Sequence, residues 1–174
     1  MARAHFVKKA RKDNPVAKKG ESYYWWEFPY GGGKHYSKGM PRKSSLTQSE
    51  FLATYYDIQD NLEKDVADAE TFEDLETIAE NYISEIENLA SEQQEKLDNM
   101  PEQLQDSNSG EILRGRQEGL EEWAGNLQSI DFTCPFDPPE DGAGDSTIEI
   151  YEEEYNEALE NVKDEVRNSD PGIN

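Results

Sequence analysis

Thr71-Phe72-Glu73-Asp74-Leu75-Glu76-Thr77-Ile78-Ala79-Glu80-Asn81-Tyr82-Ile83-Ser84-Glu85-Ile86, continuing to Leu97, decides the fold of this 174-residue chain. Leu75, Ala79, Tyr82, Ile86, Leu89, Gln93 and Leu97 follow one another at steps of three and four. That spacing keeps one stripe of a helix turned toward a partner helix. The helix starts after Thr71, and Pro101 lies near its end. A stripe needs a mate. After the loop Asp106-Ser107-Asn108-Ser109-Gly110, the residues Ile112, Arg116, Leu120, Trp123, Leu127 and Ile130 carry the same rhythm. The short connection predicts an antiparallel pair.

Working toward the N-terminus, Phe51, Tyr55, Ile58 and Leu62 mark an earlier helix over about 48–67 that packs alongside the pair. Thr47-Gln48-Ser49-Glu50 has the form of a capping box at its start. Working the other way, Phe132-Thr133-Cys134-Pro135-Phe136-Asp137-Pro138-Pro139 and the glycines after it read as a linker. Ser146-Thr147-Ile148-Glu149 suggests a second capping box. Ile148, Tyr151, Tyr155, Leu159, Val162 and Val166 then mark a last helix ending near Asn168, with Asp170-Pro171-Gly172 as its stop.

The N-terminal end differs in texture. Residues 1–21 form a basic arm interrupted by Asn14-Pro15. Ser22 to Tyr30 is rich in aromatic residues that favour strands. Gly31-Gly32-Gly33 supplies a turn, and Lys34-His35-Tyr36-Ser37 a returning strand. With a period of two, Tyr24, Trp26, Phe28 and Tyr30 share one face, and Tyr23, Trp25 and Glu27 share the other; one of these aromatic faces is expected to pack on the first helix.

The expected fold is therefore mainly α: an N-terminal β-hairpin, an antiparallel helical hairpin or three-helix unit, and a tethered C-terminal helix. The divisions are 1–44 (basic aromatic arm and hairpin), 45–130 (acidic helical domain), 131–145 (linker) and 146–174 (acidic helix and tail). With 34% hydrophobic and 32% charged residues, a thick globular core is excluded in favour of helices that each bury one stripe. No apolar run is long enough to span a bilayer, and no secretory signal is expected. The single Cys134 excludes an intramolecular disulfide and suggests an intracellular setting. With only His5 and His35 beside it, multi-cysteine zinc sites are excluded too.

Charge is the strongest compositional signal. Residues 1–44 hold eleven Lys/Arg against three Asp/Glu, a net +8, whereas residues 45–174 hold six against 36, a net −30. Fields of that size steer association. Lys8, Lys9, Arg11, Lys12, Lys18, Lys19, Lys34, Lys38, Arg42 and Lys43 surround Tyr23, Trp25 and Tyr36. Cations neutralise phosphates, and exposed rings stack on bases, so these are the candidate residues for nucleic acid. The same residues equally suit a small aromatic core with solubilising lysines, or contact with an acidic protein surface of another or the same molecule. The run Lys8 to Lys12 also resembles a nuclear localisation signal.

No nucleophile elbow, Ser/His/Asp context or phosphate-cradling loop occurs, so an enzyme is not expected and no cofactor or metal is called for. The abundant carboxylates read as solvated helix faces. Asp137 to Glu149 has the acidity of a calcium loop, but Pro139 replaces a ligand and Glu149 comes one residue late. The helical tyrosines and Trp123 read as core, and Cys134 as a small buried group.

Lys18-Lys19-Gly20-Glu21-Ser22-Tyr23-Tyr24-Trp25-Trp26-Glu27-Phe28 and Gly32-Gly33-Lys34-His35-Tyr36-Ser37 resemble the opening of an uncharacterised family of tailed-bacteriophage proteins. Leu46-Thr47-Gln48-Ser49-Glu50-Phe51-Leu52 and Gly119-Leu120-Glu121-Glu122-Trp123 are similar to it too. The resemblance implies a viral origin, and with it the cytoplasm of an infected bacterium or a virion. The aromatic strand, glycine turn and Lys-x-Tyr-Ser strand before a helix are also similar to the arm-type DNA-binding domains of phage integrases. Those domains insert a three-stranded sheet into DNA. Only two strands are evident here, and Glu27 and Pro29 depart from the basic or β-branched residues usual there. The expectation is a non-enzymatic phage accessory protein that binds nucleic acid or a host or viral protein through its N-terminus. Its helical seams are available for homo-oligomers. The alternatives are a DNA mimic acting through the acidic helices, or a scaffold-like element of virion assembly.

Overall fold

A computed structural model describes residues 1–140 and 144–173. In chain order the strands are β1 (His5–Val7), β2 (Tyr23–Glu27) and β3 (Lys34–Ser37). After a 3-10 turn (Lys43–Leu46) come α1 (Glu50–Asp68), α2 (Phe72–Asp98), α3 (Glu102–Gln105), α4 (Asn108–Gln128) and α5 (Asp145–Arg167). The chain is mainly helical, and it divides into two compact units, residues 1–60 and 61–174, with the division inside α1.

In the first unit the strands form one antiparallel sheet in the order β1-β2-β3. The expected hairpin is therefore a three-stranded sheet, and the basic arm contains its first strand. His5, Phe6 and Val7 stand opposite Trp25, Tyr24 and Tyr23. Three residues are too few to show a period in sequence, and they form a strand because β2 offers an unpaired edge. On the other side of β2, Trp25 faces Tyr36, Trp26 faces His35 and Glu27 faces Lys34. Alternation puts Trp26 inside, 6% exposed, while Trp25 lies half-buried on the opposite face. The strand ends at Glu27, so Tyr30 does not join the inner face; it stands 95% exposed in the turn. Gly31, Gly32 and Gly33 all take positive φ, a backbone that only glycine adopts at little cost, and this run carries the chain back to β3.

The cap of α1 lies two residues beyond the expected Thr47. The Ser49 hydroxyl accepts from the Leu52 amide at 3.3 Å, while Thr47 Oγ1 accepts from Ser49. Likewise α5 starts after Gly144 with no side-chain cap, so Ser146 does not cap it. The box that does form is at α2: Thr71 Oγ1 accepts from the Asp74 amide, and Asp74 Oδ2 accepts from the Thr71 amide, both at 3.0 Å. Donation to the Asp74 carboxylate, first from the Thr71 side chain and then from the Glu70 amide, holds that carboxyl below its ordinary pKa. A depressed carboxyl stabilises the fold above the unfolded-state pKa of about 4, and that contribution is lost as pH falls through the folded value. Thr71→Ala is expected to cost about 1 kcal/mol at neutral pH through the lost cap, with the gap from the unmodified protein narrowing in acid as the Asp74 carboxyl protonates. Denaturant midpoints at neutral and acid pH check this, and equal midpoints at neutral pH would refute it.

The second unit is built on the seam. All seven positions from Leu75 to Leu97 are buried, with Phe72 and Ala90 beside them. Leu120, Trp123, Ala124 and Leu127 of α4 are buried as well, and α2 with α4 makes the most extensive helix contact in the chain. Joined by the short stretch 99–107, the two run antiparallel. Leu62 and Val66 of α1 are buried in this unit, and the Tyr82 hydroxyl donates to Asp65 at 2.7 Å. Burial and that carboxylate raise the Tyr82 pKa.

The start of α4 departs from the expected rhythm: it begins at Asn108 rather than after Gly110, and Ile112 is exposed. The reason is α3, whose Gln105 lies against Gly110. A Cβ on Gly110 would collide with the Gln105 carbonyl, so a glycine, not Ile112, fills the contact.

The last helix packs back on this unit. Leu159 and Val166 are buried, and Tyr155 meets Phe72 edge-on at 5.2 Å. Lys163 buries its stem while its ammonium reaches Glu160 at 2.9 Å. Cys134 is half-buried, its thiol donating to the Phe136 carbonyl at 3.4 Å.

Candidate nucleic-acid interface

The segment between β1 and β2 is not a loose arm but a closed loop with a built backbone. The Ala10 amide donates to the Glu21 carbonyl, and the Gly20 amide to the Ala10 carbonyl, which ties its two ends together. At its tip Asn14 Oδ1 accepts from Val16 and Ala17. Asp13 Oδ1 accepts the Lys19 amide at 2.7 Å, and Glu21 Oε2 the Lys18 amide at 2.9 Å. Two of the three carboxylates of residues 1–44 therefore hold backbone rather than neutralise lysine side chains.

This loop displays Lys8, Lys9, Arg11, Lys12, Lys18 and Lys19, all exposed. Lys38 follows β3, and Arg42 and Lys43 lie at the 3-10 turn. They too are exposed, with the Lys43 ammonium 5.6 Å from the Tyr56 ring. Among the described residues none of these nine cations forms an ion pair.

Tyr23, Trp25, Lys34 and Tyr36 come together on the outer face of the sheet, because register pairs Trp25 with Tyr36 and Glu27 with Lys34. The Tyr23 and Tyr36 rings are 6.1 Å apart. A fifth member, His5, escapes sequence reading: its ring stacks on Trp25 with centroids 4.6 Å apart and planes 18° from parallel. On the side of β3, the Lys34 ammonium lies 4.4 Å over the same indole. Since β1 and β3 flank β2, the indole is sandwiched between the imidazole and the ammonium. Trp25 is thus not the open stacking platform that its exposed position in a strand suggests. Lys34 prefers the ring to Glu27, which stands opposite it without a salt bridge among the described residues.

The direction of the strands sets the rest of the layout. Lys8, Lys9 and Lys38 lie at the Tyr23 end of the face, and Lys34 at the Glu27 end. The length of β2 between them is about 13 Å at roughly 3.3 Å per residue.

Among the described residues no cluster of His, Cys, Asp or Glu could hold a metal ion, and no helix is long and apolar enough to cross a membrane. Asp141-Gly142 of the acidic loop, with part of the expected linker, fall outside the described residues. No family model, curated protein or solved structure matches this chain.

Proposed function

We propose that this chain is a non-enzymatic accessory protein of phage origin that binds nucleic acid through its N-terminal sheet and basic loop. The observation that carries the reading is the division of labour among charges there. Asp13 and Glu21 are engaged with backbone amides, and among the described residues the exposed loop cations form no ion pairs on this ordered scaffold. Solubilising lysines need no such ordering, whereas a phosphate chain meets a fixed array of positive charge. The resemblance to tailed-phage proteins supports the origin.

The test is binding of the full-length protein to labelled duplex and single-stranded oligonucleotides over about 50 to 200 mM salt. Affinity should fall along a straight line in log–log form, with a slope set by the phosphates neutralised. No binding at the lowest salt overturns the reading.

One observation favours a second reading. Glu152, Glu153, Glu154 and Glu157 are exposed along α5 without ion pairs among the described residues. Such a row can stand in for phosphates and occupy a host protein's nucleic-acid channel. A protein acting that way binds no nucleic acid itself, yet competes with it for a basic partner.

A further inference from the structure

Resting on the nucleic-acid reading, we infer that the ligand is single-stranded, and that one of its bases stacks on Trp25 in the place now held by Lys34. The indole has two faces, and they are held differently. His5 is a rigid ring anchored in the neighbouring strand at 4.6 Å. Lys34 is an exposed, flexible chain whose ammonium sits 4.4 Å above the other face. An exposed cation–π contact is weaker than the stack of a base on an aromatic ring. An incoming base therefore displaces the ammonium, and the freed ammonium can meet the phosphate beside that base. Both partners of the original contact end in a stronger one.

The neighbouring side chains extend the path. Tyr36 stands opposite Trp25 in the register, with Tyr23 6.1 Å from Tyr36, so further ring surface is available along the strand. The loop cations begin directly after Val7, whose partner is Tyr23. A duplex is a poor fit to this face. Its bases present edges rather than faces, and edges are read by Arg, Asn or Gln side chains. Here the face presents rings, and its carboxylate, Glu27, repels closely spaced phosphates.

Trp25 also reports its own occupancy. Trp26 and Trp123 are 6% and 1% exposed, so the half-buried Trp25 is the indole open to an aqueous collisional quencher such as acrylamide. The experiment titrates the full-length protein with oligothymidylate DNA, the matching oligouridylate RNA and a mixed-sequence duplex of equal length, at low salt. Expected are at least about tenfold tighter binding to a single strand than to duplex, and protection of Trp25 from acrylamide at saturation. Trp25→Leu should weaken single-strand binding about tenfold and abolish the protection. The DNA and RNA arms identify which sugar is preferred. Duplex binding as tight as single-strand binding, or single-strand binding that leaves acrylamide quenching unchanged, overturns this inference and leaves the nucleic-acid reading standing. No binding to any of the three overturns both. The first two measurements use the unmodified protein, so they decide the matter even if Trp25→Leu does not fold.

Discussion

Replacing Lys8, Lys9, Arg11 and Lys12 together by glutamine is expected to weaken nucleic-acid binding on the order of a hundred- to a thousandfold near 0.1 M salt. The magnitude follows from counterion release. Each phosphate contact with a single strand adds about 0.7 to the slope of log affinity against log salt, so four lost contacts flatten that slope by about 3. The slope is the more telling readout, because it counts contacts and is insensitive to the fraction of active protein. The side chains are exposed and none takes part in an ion pair among the described residues. Folding stability should therefore move by no more than about 0.5 kcal/mol. Lys64 and Lys96 are the matched control: both are cations, but they lie on helices beside Asp65 and Glu92, each at 3.9 Å. Their replacement should leave affinity and slope unchanged. If the loop variant keeps the parent slope while the control also does, the loop lysines serve solubility and the proposed interface is wrong.

The seam of α2 was legible in the sequence down to individual residues, because a helix advertises its buried stripe at every turn and Leu75 to Leu97 covers more than five turns' worth of spacing. The same holds for Phe51, Tyr55, Ile58 and Leu62 of α1. Legibility fails where a contact is made by an element too short to have a period. β1 is three residues inside a basic stretch, and nothing local marks it; it is a strand because β2 pairs with it. α3 is four residues, and its presence moves the contact at the start of α4 from Ile112 to Gly110. Caps fail for a related reason. Thr47, Ser49 and Ser146 all have the right chemistry, and which hydroxyl caps depends on where the chain enters the helix.

The candidate site divides along the same line. Composition picks out the cations and the aromatic strand, and alternation separates Trp25 from Trp26. The sandwich around Trp25 depends on strand order, which puts His5 on one side and Lys34 on the other. With only two strands in view, one face of the indole is left bare. The third strand covers it, and that changes Trp25 from an open surface to a gated one.

Removing Trp123 is expected to have the largest effect on stability. The side chain is 1% exposed, and Trp123→Ala should cost about 3–5 kcal/mol, a large part of a marginal total. Since such a protein can fail to fold, the informative change is smaller. The Trp123 Nε1 donates to Ser169 Oγ at 3.0 Å, Ser169 Oγ donates to the Val166 carbonyl at 2.7 Å, and Asn126 Nδ2 donates to the Ser169 carbonyl at 2.8 Å. This cluster fastens the end of α5 to α4. Ser169→Ala removes the hydroxyl acceptor of the indole N–H and the hydroxyl bond to the Val166 carbonyl, a cost of about 1–3 kcal/mol. Trp123→Phe removes the donor instead. Adding Ser169→Ala to Trp123→Phe should then cost less than Ser169→Ala alone, since the bond between the two side chains is already gone. Like charge makes the fastening matter more, because α5 carries rows of exposed glutamates onto a body that is itself strongly acidic. Repulsion of that kind is screened by salt, so the loss on Ser169→Ala should be greatest at low ionic strength. Amide hydrogen exchange along α5 measures it locally and thermal melting globally. If Ser169→Ala changes neither at low salt, the Ser169 hydroxyl adds nothing, and its bonds to Trp123 and the Val166 carbonyl do not fasten α5.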